Sequence, residues 1–203
     1  HDEKPELVAI FGGDHVYKMD IRQMLAHHVM RGAAATIAAI PVPKAEAREF
    51  GVLEVGEHGR VIAFHEKVED PPCMPGRPDM CLASMGNYIF RTNILLDEVE
   101  RDSQIEESLH DFGHDILPHM VKSGQEVYAY DFMTNRVPGE GERHDAYWRD
   151  IGTLEAYWEA HMDLIAIHPH FNLYNDRWPI RTGVTHAPPA KFVFRDEAHA
   201  RLG

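Results

Sequence analysis

The sequence predicts an α/β fold with a parallel sheet, and three observations carry that prediction. The apolar run Leu7–Phe11 is bounded by polar residues on one side and a glycine pair on the other, as a short buried strand is. Ile21, Met24, Leu25 and Val29 then recur at helical spacing, and the β-rich stretch 33–42 follows, so strand, helix and strand make a βαβ unit. Thirdly, Gly12-Gly13-Asp14 sits directly past the first strand. In α/β sheets ligands collect outside the carboxyl ends of the strands.

The remaining elements follow in order. Gly32 is placed to stop the first helix, and 43–49 reads as a short helical turn. Residues 51–55 and 60–67 flank Gly56-Glu57-His58-Gly59, which is a hairpin pattern. Pro71, Pro72, Pro75 and Pro78, together with Cys73 and Cys81, make 68–82 a loop over the site or at a domain edge. Ser84–Phe90 is a strand, and Thr92 opens a helix to about Glu100. Helix 111–122 ends at Gly124, and strand 126–132 follows. A loop rich in Gly, Glu and His covers 138–145. Trp148–Gly152 then leads into a long helix, Thr153 to about Ile167. From Pro169 on, prolines and short apolar runs such as Phe192-Val193-Phe194 replace helical spacing. The expected division is therefore 1–168 as one domain, and 169–203 as a linker into a second.

Composition narrows the partners. The 203 residues suffice for one good core or one domain plus part of another. Acidic residues outnumber basic ones by 33 to 20, a formal net charge of −13. That balance argues against nucleic acid or an anionic membrane held by bulk charge, and leaves room for a local basic pocket. Two cysteines are too few for a disulfide framework, which makes a reducing cytoplasm the default. No apolar run approaches the ~20 residues of a membrane span. The polar lead His1–Glu6 into a strand, with no initiator Met, suggests a start inside a larger domain.

Asp14 and Asp150 are the residues most suited to chemistry. Each lies by glycine, at an element boundary before a helix. Two such carboxylates can share one Mg2+, which takes oxygen ligands and keeps waters and substrate phosphates in its shell. The alternative is that both merely cap helices. Glu66 and Lys67 end a hairpin strand; Lys67 suits a phosphate and Glu66 a sugar hydroxyl, against a solvated hairpin edge. Gly51 permits close backbone approach or simply turns the chain, and Ser84 offers a hydroxyl at a strand start. Asp111-Phe112-Gly113 looks like a kinase metal triplet, but the companion loops of a kinase are missing. His110 and His114 are four apart but lack a third ligand, so capping or exposed histidines are the simpler reading.

The chain resembles the ADP-glucose pyrophosphorylases (glucose-1-phosphate adenylyltransferases) along nearly its whole length. The resemblance rests on Gly13–Tyr17, Phe64–Lys67, Ala83–Tyr88, His110–Pro118, Tyr147–Thr153, Leu173–Thr182 and Pro188–Phe192. The first three segments recur among sugar nucleotidyltransferases; the last four point to the ADP-glucose branch. The resemblance implies a nucleotidyltransferase-like (Rossmann-like) mixed sheet, followed by a left-handed parallel β-helix. It implies ATP and glucose 1-phosphate as substrates and Asp14 and Asp150 as catalytic Mg2+ ligands. It implies contacts from Glu66, Lys67, Ser84 and the Gly51 backbone to glucose 1-phosphate. A cytoplasmic, allosteric homotetramer of glycogen synthesis is the corresponding whole protein.

Three departures stand out. Val68 replaces the proline that usually follows Glu-Lys, and Gly12 replaces a more usual apolar or small residue, which is expected to loosen the turn. The family's N-terminal Gly-rich nucleotide loop and most of its β-helix are missing, so the chain reads as a middle fragment, inactive by itself. The other readings are a UTP- or dTTP-dependent sugar nucleotidyltransferase, a non-catalytic regulatory subunit, and, more remotely, a histidine-rich metal-storage protein.

Overall fold

A computed structural model of the chain describes residues 4–140, 146–167, 169–181 and 183. Strand β1 (Leu7–Phe11) runs through the Gly12-Gly13 turn into a short β2 (His15–Tyr17) and then helix α1 (Ile21–Arg31). Asp20 caps α1, its carboxylate accepting from Arg22 N at 3.1 Å, and Gly32 ends it at φ +61°. Next come β3 (Ala35–Pro43), the single turn α2 (Lys44–Ala47), and the hairpin β4 (Gly51–Val55) and β5 (Val61–Glu66). Beyond the proline loop lie β6 (Met80–Arg91) and α3 (Thr92–Ser103). A π-helical turn (Phe112–Ile116) leads into α4 (Leu117–Lys122), and then β7 (Val127–Asp131), β8 (Trp148–Asp150) and α5 (Leu154–Leu164) follow.

The main sheet has six strands in the order β5-β4-β6-β3-β7, with β1 also paired to β6. It is mixed, which corrects the simple parallel sheet expected from strand–helix–strand order. Strands β1 and β3 do run the same way, but β6 lies between them, antiparallel to both. The parallel pair among the described strands is β3 with β7, from Ala35↔Val127 to Ala39↔Asp131. The reason lies in burial. Of the 12 residues of β6, nine are buried, on both faces, so this strand takes the centre of the sheet, where both faces are covered. The sequence predicts its Ser84–Phe90 part but puts 80–82 in the proline loop, which the structure corrects; its partners are not legible in sequence.

Two apolar clusters sit on opposite faces of the sheet. Ile37, Leu53, Phe90, Leu117, Met120 and Val127 pack one face, with Ile94 and Leu95 of α3 against them. Met24 of α1 and Ala47 of α2 join Ile40, Val52, Met85, Ile89 and Phe132 on the other. Each such large side chain removed from water contributes about 1.5–3 kcal/mol. Helix α5 lies at the periphery, where only its Ala160 is buried.

Segment 169–181, with Gly183, contains turns and no strand among the described residues. The expected β-helix start, including Pro188–Phe192 and Phe192-Val193-Phe194, lies outside the described residues, as do 141–145 of the Gly/Glu/His loop.

Candidate active site

The ribbon β2–β8 brings the two predicted carboxylates together. These two strands of three residues pair antiparallel with His15 opposite Asp150, and Ile151 N donates to the Asp14 carbonyl at 3.0 Å. Neither carboxylate caps a helix. Asp20 caps α1, and the Thr153 hydroxyl caps α5 by accepting from Ala156 N at 3.1 Å. Asp150 Oδ1 instead accepts from Gly152 N at 2.6 Å. A Cβ at Gly152 would lie 3.0 Å from Asp150 Oδ1 and 4.0 Å from Asp14 Oδ2, so both carboxylates face one bare glycine. The Asp14 side chain is 66% exposed and that of Asp150 37%, leaving their oxygens open to a ligand. Two converging, solvent-reachable carboxylates, a wholly oxygen donor set, fit Mg2+.

His15 stands between them. Its Nε2 lies 3.5 Å from Asp14 Oδ1 and 3.9 Å from Asp150 Oδ2. The ring packs edge-on against Trp148 with centroids 5.4 Å apart. Gly12 and Gly86 make room for it, since a Cβ on either would fall 2.8 Å from His15 Cε1. The missing side chain of Gly12 is where the imidazole sits, a role the sequence alone does not show. Gly86 lies at φ +70° within a bulge of β6, where Ser84 and Tyr88 flank two extra residues against Ala39 and Ile37. The Ser84 hydroxyl accepts from Gly86 N at 3.3 Å, and Gly12 N donates to the Gly86 carbonyl at 3.1 Å.

The second group forms around the end of β5. Glu66 pairs with Gly51 across the hairpin, and its Oε2 lies 2.7 Å from where a Gly51 Cβ would be. The same oxygen lies 2.7 Å from a Cβ position on Gly113. Burial raises the Glu66 carboxyl above its ordinary range; Lys67 opposes that and Asp111 adds to it. Consecutive strand residues point to opposite faces, so Glu66 and Lys67 would part if β5 continued. The strand ends at Glu66, and Lys67 turns left-handed, φ +47°, with its N–H bonded to the Phe50 carbonyl at 3.2 Å. Its exposed ammonium ends 4.0 Å from Glu66 Oε1.

Ser84 joins the His15 group, its hydroxyl lying on Gly86 N. Tyr88, further along β6, has its phenol pushed up by burial and feels the charges of Glu66 and Asp111. Its ring stacks at a tilt on Phe112, with centroids 5.8 Å apart. Asp111-Phe112-Gly113, set aside as a false kinase triplet, thus closes one wall of the Glu66 pocket. Asp111 Oδ1 holds that wall by accepting from Gly113 N and His114 N, each at 2.8 Å. The signal missed in the sequence was the glycine at the helix start. Phe50, next to Gly51, packs on Trp148 at 5.3 Å, so one aromatic contact joins the Glu66 group to the carboxylate pair. All six predicted residues fall within these two linked groups. Among the described residues no set of three or more His, Cys, Asp or Glu side chains converges as a metal centre.

Comparison with known proteins places the chain in a family. The family model described as nucleotidyl transferase matches residues 1–166. The chain is similar to the glucose-1-phosphate adenylyltransferase of Thermus thermophilus, 54% identical over all of this chain and 48% of that protein. It is 52% identical to the protein of that name in Anaeromyxobacter dehalogenans, again over all of this chain and 49% of the relative. In Mycolicibacterium gilvum the identity is 51%, over 95% of this chain and 48% of the relative. The chain thus spans about half the length of the curated relatives it matches. With a matching family model over 166 residues of its length, the chain belongs to the nucleotidyl transferase family.

Proposed function

We propose that this chain carries the sugar-phosphate and metal-binding side of a glucose-1-phosphate adenylyltransferase, with ATP and glucose 1-phosphate as substrates. The observation that carries this reading is the joining of two groups, Asp14 with Asp150 and Glu66 with Lys67, through the Phe50–Trp148 contact. The names of relatives matched over the whole chain support the choice of sugar and base.

In the reaction a phosphate oxygen of glucose 1-phosphate attacks the α-phosphorus of ATP in line. A P–O bond forms to the sugar phosphate, the bond to the β-phosphate breaks, and pyrophosphate leaves. Lys67 pairs with the sugar phosphate as a point charge. Glu66 accepts hydrogen bonds from sugar hydroxyls, and Gly51 lets the ring approach the backbone. Ser84 supplies a hydroxyl to glucose 1-phosphate. Asp14 and Asp150 would hold Mg2+, which would supply charge neutralisation on the phosphates. The chain's own contribution is positioning, with no covalent intermediate. The same reading extends to a cytoplasmic, allosterically controlled homotetramer serving glycogen synthesis.

The test is pyrophosphate release by the complete protein with glucose 1-phosphate and ATP, UTP or dTTP in parallel. Turnover confined to ATP is expected. Preference for UTP or dTTP would move the protein to another sugar nucleotidyltransferase, and no turnover with any of them would make it a non-catalytic subunit.

A further inference from the structure

We infer that His15 is a positioning residue that presets the gap between Asp14 and Asp150, and so governs how tightly the pair takes a divalent cation. The inference rests on the metal role proposed for those two carboxylates. Two carboxylates that face one glycine repel each other, and that repulsion drives their side chains apart. The His15 ring opposes this from between them. Its Nε2 lies 3.5 Å from Asp14 Oδ1 and 3.9 Å from Asp150 Oδ2. With the proton on Nε2, the positive end of one N–H dipole lies near both carboxylates.

The ring is held more firmly than the carboxylates it serves. Its side chain is 11% exposed, against 66% for Asp14 and 37% for Asp150. Trp148 meets it edge-on, while the bare Cα atoms of Gly12 and Gly86 close in on Cε1. The backbone adds to this, because His15 is the register partner of Asp150 and the chain neighbour of Asp14. Nδ1 is buried with no hydrogen-bond partner, so that edge of the imidazole serves no structural bond. The polar work of the ring is therefore at Nε2. A wedge needed only for packing would be as well served by an apolar ring.

The experiment measures Mn2+ binding to the complete protein by electron paramagnetic resonance, without substrates, alongside thermal unfolding. The variants are His15→Phe, His15→Gln and His15→Asn, with Asp14→Asn and Asp150→Asn as references. Phe keeps the wedge and removes the donor. The Gln amide nitrogen reaches the place of Nε2, and that of Asn stops short. Outer-shell partners of metal ligands typically matter ten- to hundredfold in affinity, so His15→Phe is expected to weaken Mn2+ binding by about tenfold or more. His15→Gln should stay within about threefold of the parent, and His15→Asn should resemble Phe. Equal Mn2+ affinity in the parent, Phe, Gln and Asn forms, with Asp14→Asn weakened, would overturn the role of His15 alone. If Phe fails to fold, equal affinity of Gln and Asn overturns it equally. Unchanged affinity in both Asp variants would overturn the metal reading itself, and this inference with it.

Discussion

The carboxylate of Glu66 occupies the space in which Gly113 would carry a side chain, a Cβ there falling 2.7 Å from Glu66 Oε2. Gly113 is itself buried at the start of the π-helical turn, so its neighbours have little room to yield. Gly113→Ala should therefore displace Glu66 while leaving its charge intact. The expected result is a KM for glucose 1-phosphate raised about tenfold, at a stability cost of about 1–3 kcal/mol from overpacking. The KM for ATP should change less than about threefold. Steady-state kinetics with each substrate varied in turn gives the answer, and equal rises for the two would sever Gly113 from the sugar side.

Lys67 makes two separate predictions because its backbone and its charge are separable. At φ +47° any side chain with a Cβ is strained, and glycine is not. Lys67→Ala and Lys67→Gly should both raise the KM for glucose 1-phosphate by roughly ten- to hundredfold, the loss of one phosphate-pairing cation being worth about 1.5–3 kcal/mol. They should part in stability, with the Gly form more stable than Ala by about 0.5–1 kcal/mol. Urea unfolding and substrate kinetics on both variants check this. A KM for ATP that rises in step with that for glucose 1-phosphate would take Lys67 away from the sugar phosphate.

How far the site could be read from sequence depended on whether a feature was local. Asp14 past a strand end, Gly32 as a helix stop and the 51–66 hairpin are local patterns, and the structure has each of them. The β2–β8 ribbon is not local: strands of three residues, 130 or so positions apart, show no period. That pairing is what separates Asp14 and Asp150 from cap residues. Likewise nothing in Glu66-Lys67 announces a left-handed Lys67, and nothing in Asp111-Phe112-Gly113 says which carboxylate its glycine will meet. The role of Gly12 was hidden for the same reason, since the His15 ring it accommodates also lies against Trp148 and Gly86 of the β6 bulge.

His28 makes stability depend on pH. It is 2% exposed, its Nδ1 lies 2.8 Å from Thr36 Oγ1, and its Nε2 has no partner. Burial, with Arg91 and His27 nearby, lowers its pKa from 6.5 to about 4. A histidine depressed in the folded state takes up its proton sooner when unfolded. Its contribution is therefore complete above pH 6.5, and is lost as pH falls from there towards 4. The shift corresponds to about 3–3.5 kcal/mol across that window. His28→Gln should lower stability at neutral pH and flatten the fall by a comparable amount. Urea titrations at several pH values would show this, and parallel pH profiles for parent and variant would remove His28 as the cause.

Asp14 and Asp150 should act as one unit. Both face the bare Gly152, neither caps a helix, and His15 lies between them. If they hold the same cation, losing either should remove most of its effect, and losing the second should cost little more, because groups that act together are not additive. Asn at each position keeps the size and one oxygen but removes the charge, so it tests electrostatics and not packing. The measurement is kcat of the complete protein for Asp14→Asn, Asp150→Asn and the double variant, across a Mg2+ titration. Each single variant should lose most of kcat, with the double variant within about threefold of the weaker single. Raising Mg2+ should recover part of the loss in the singles and little in the double. Two mild losses that multiply in the double variant would mean that the carboxylates work independently, and the shared-cation arrangement would fall.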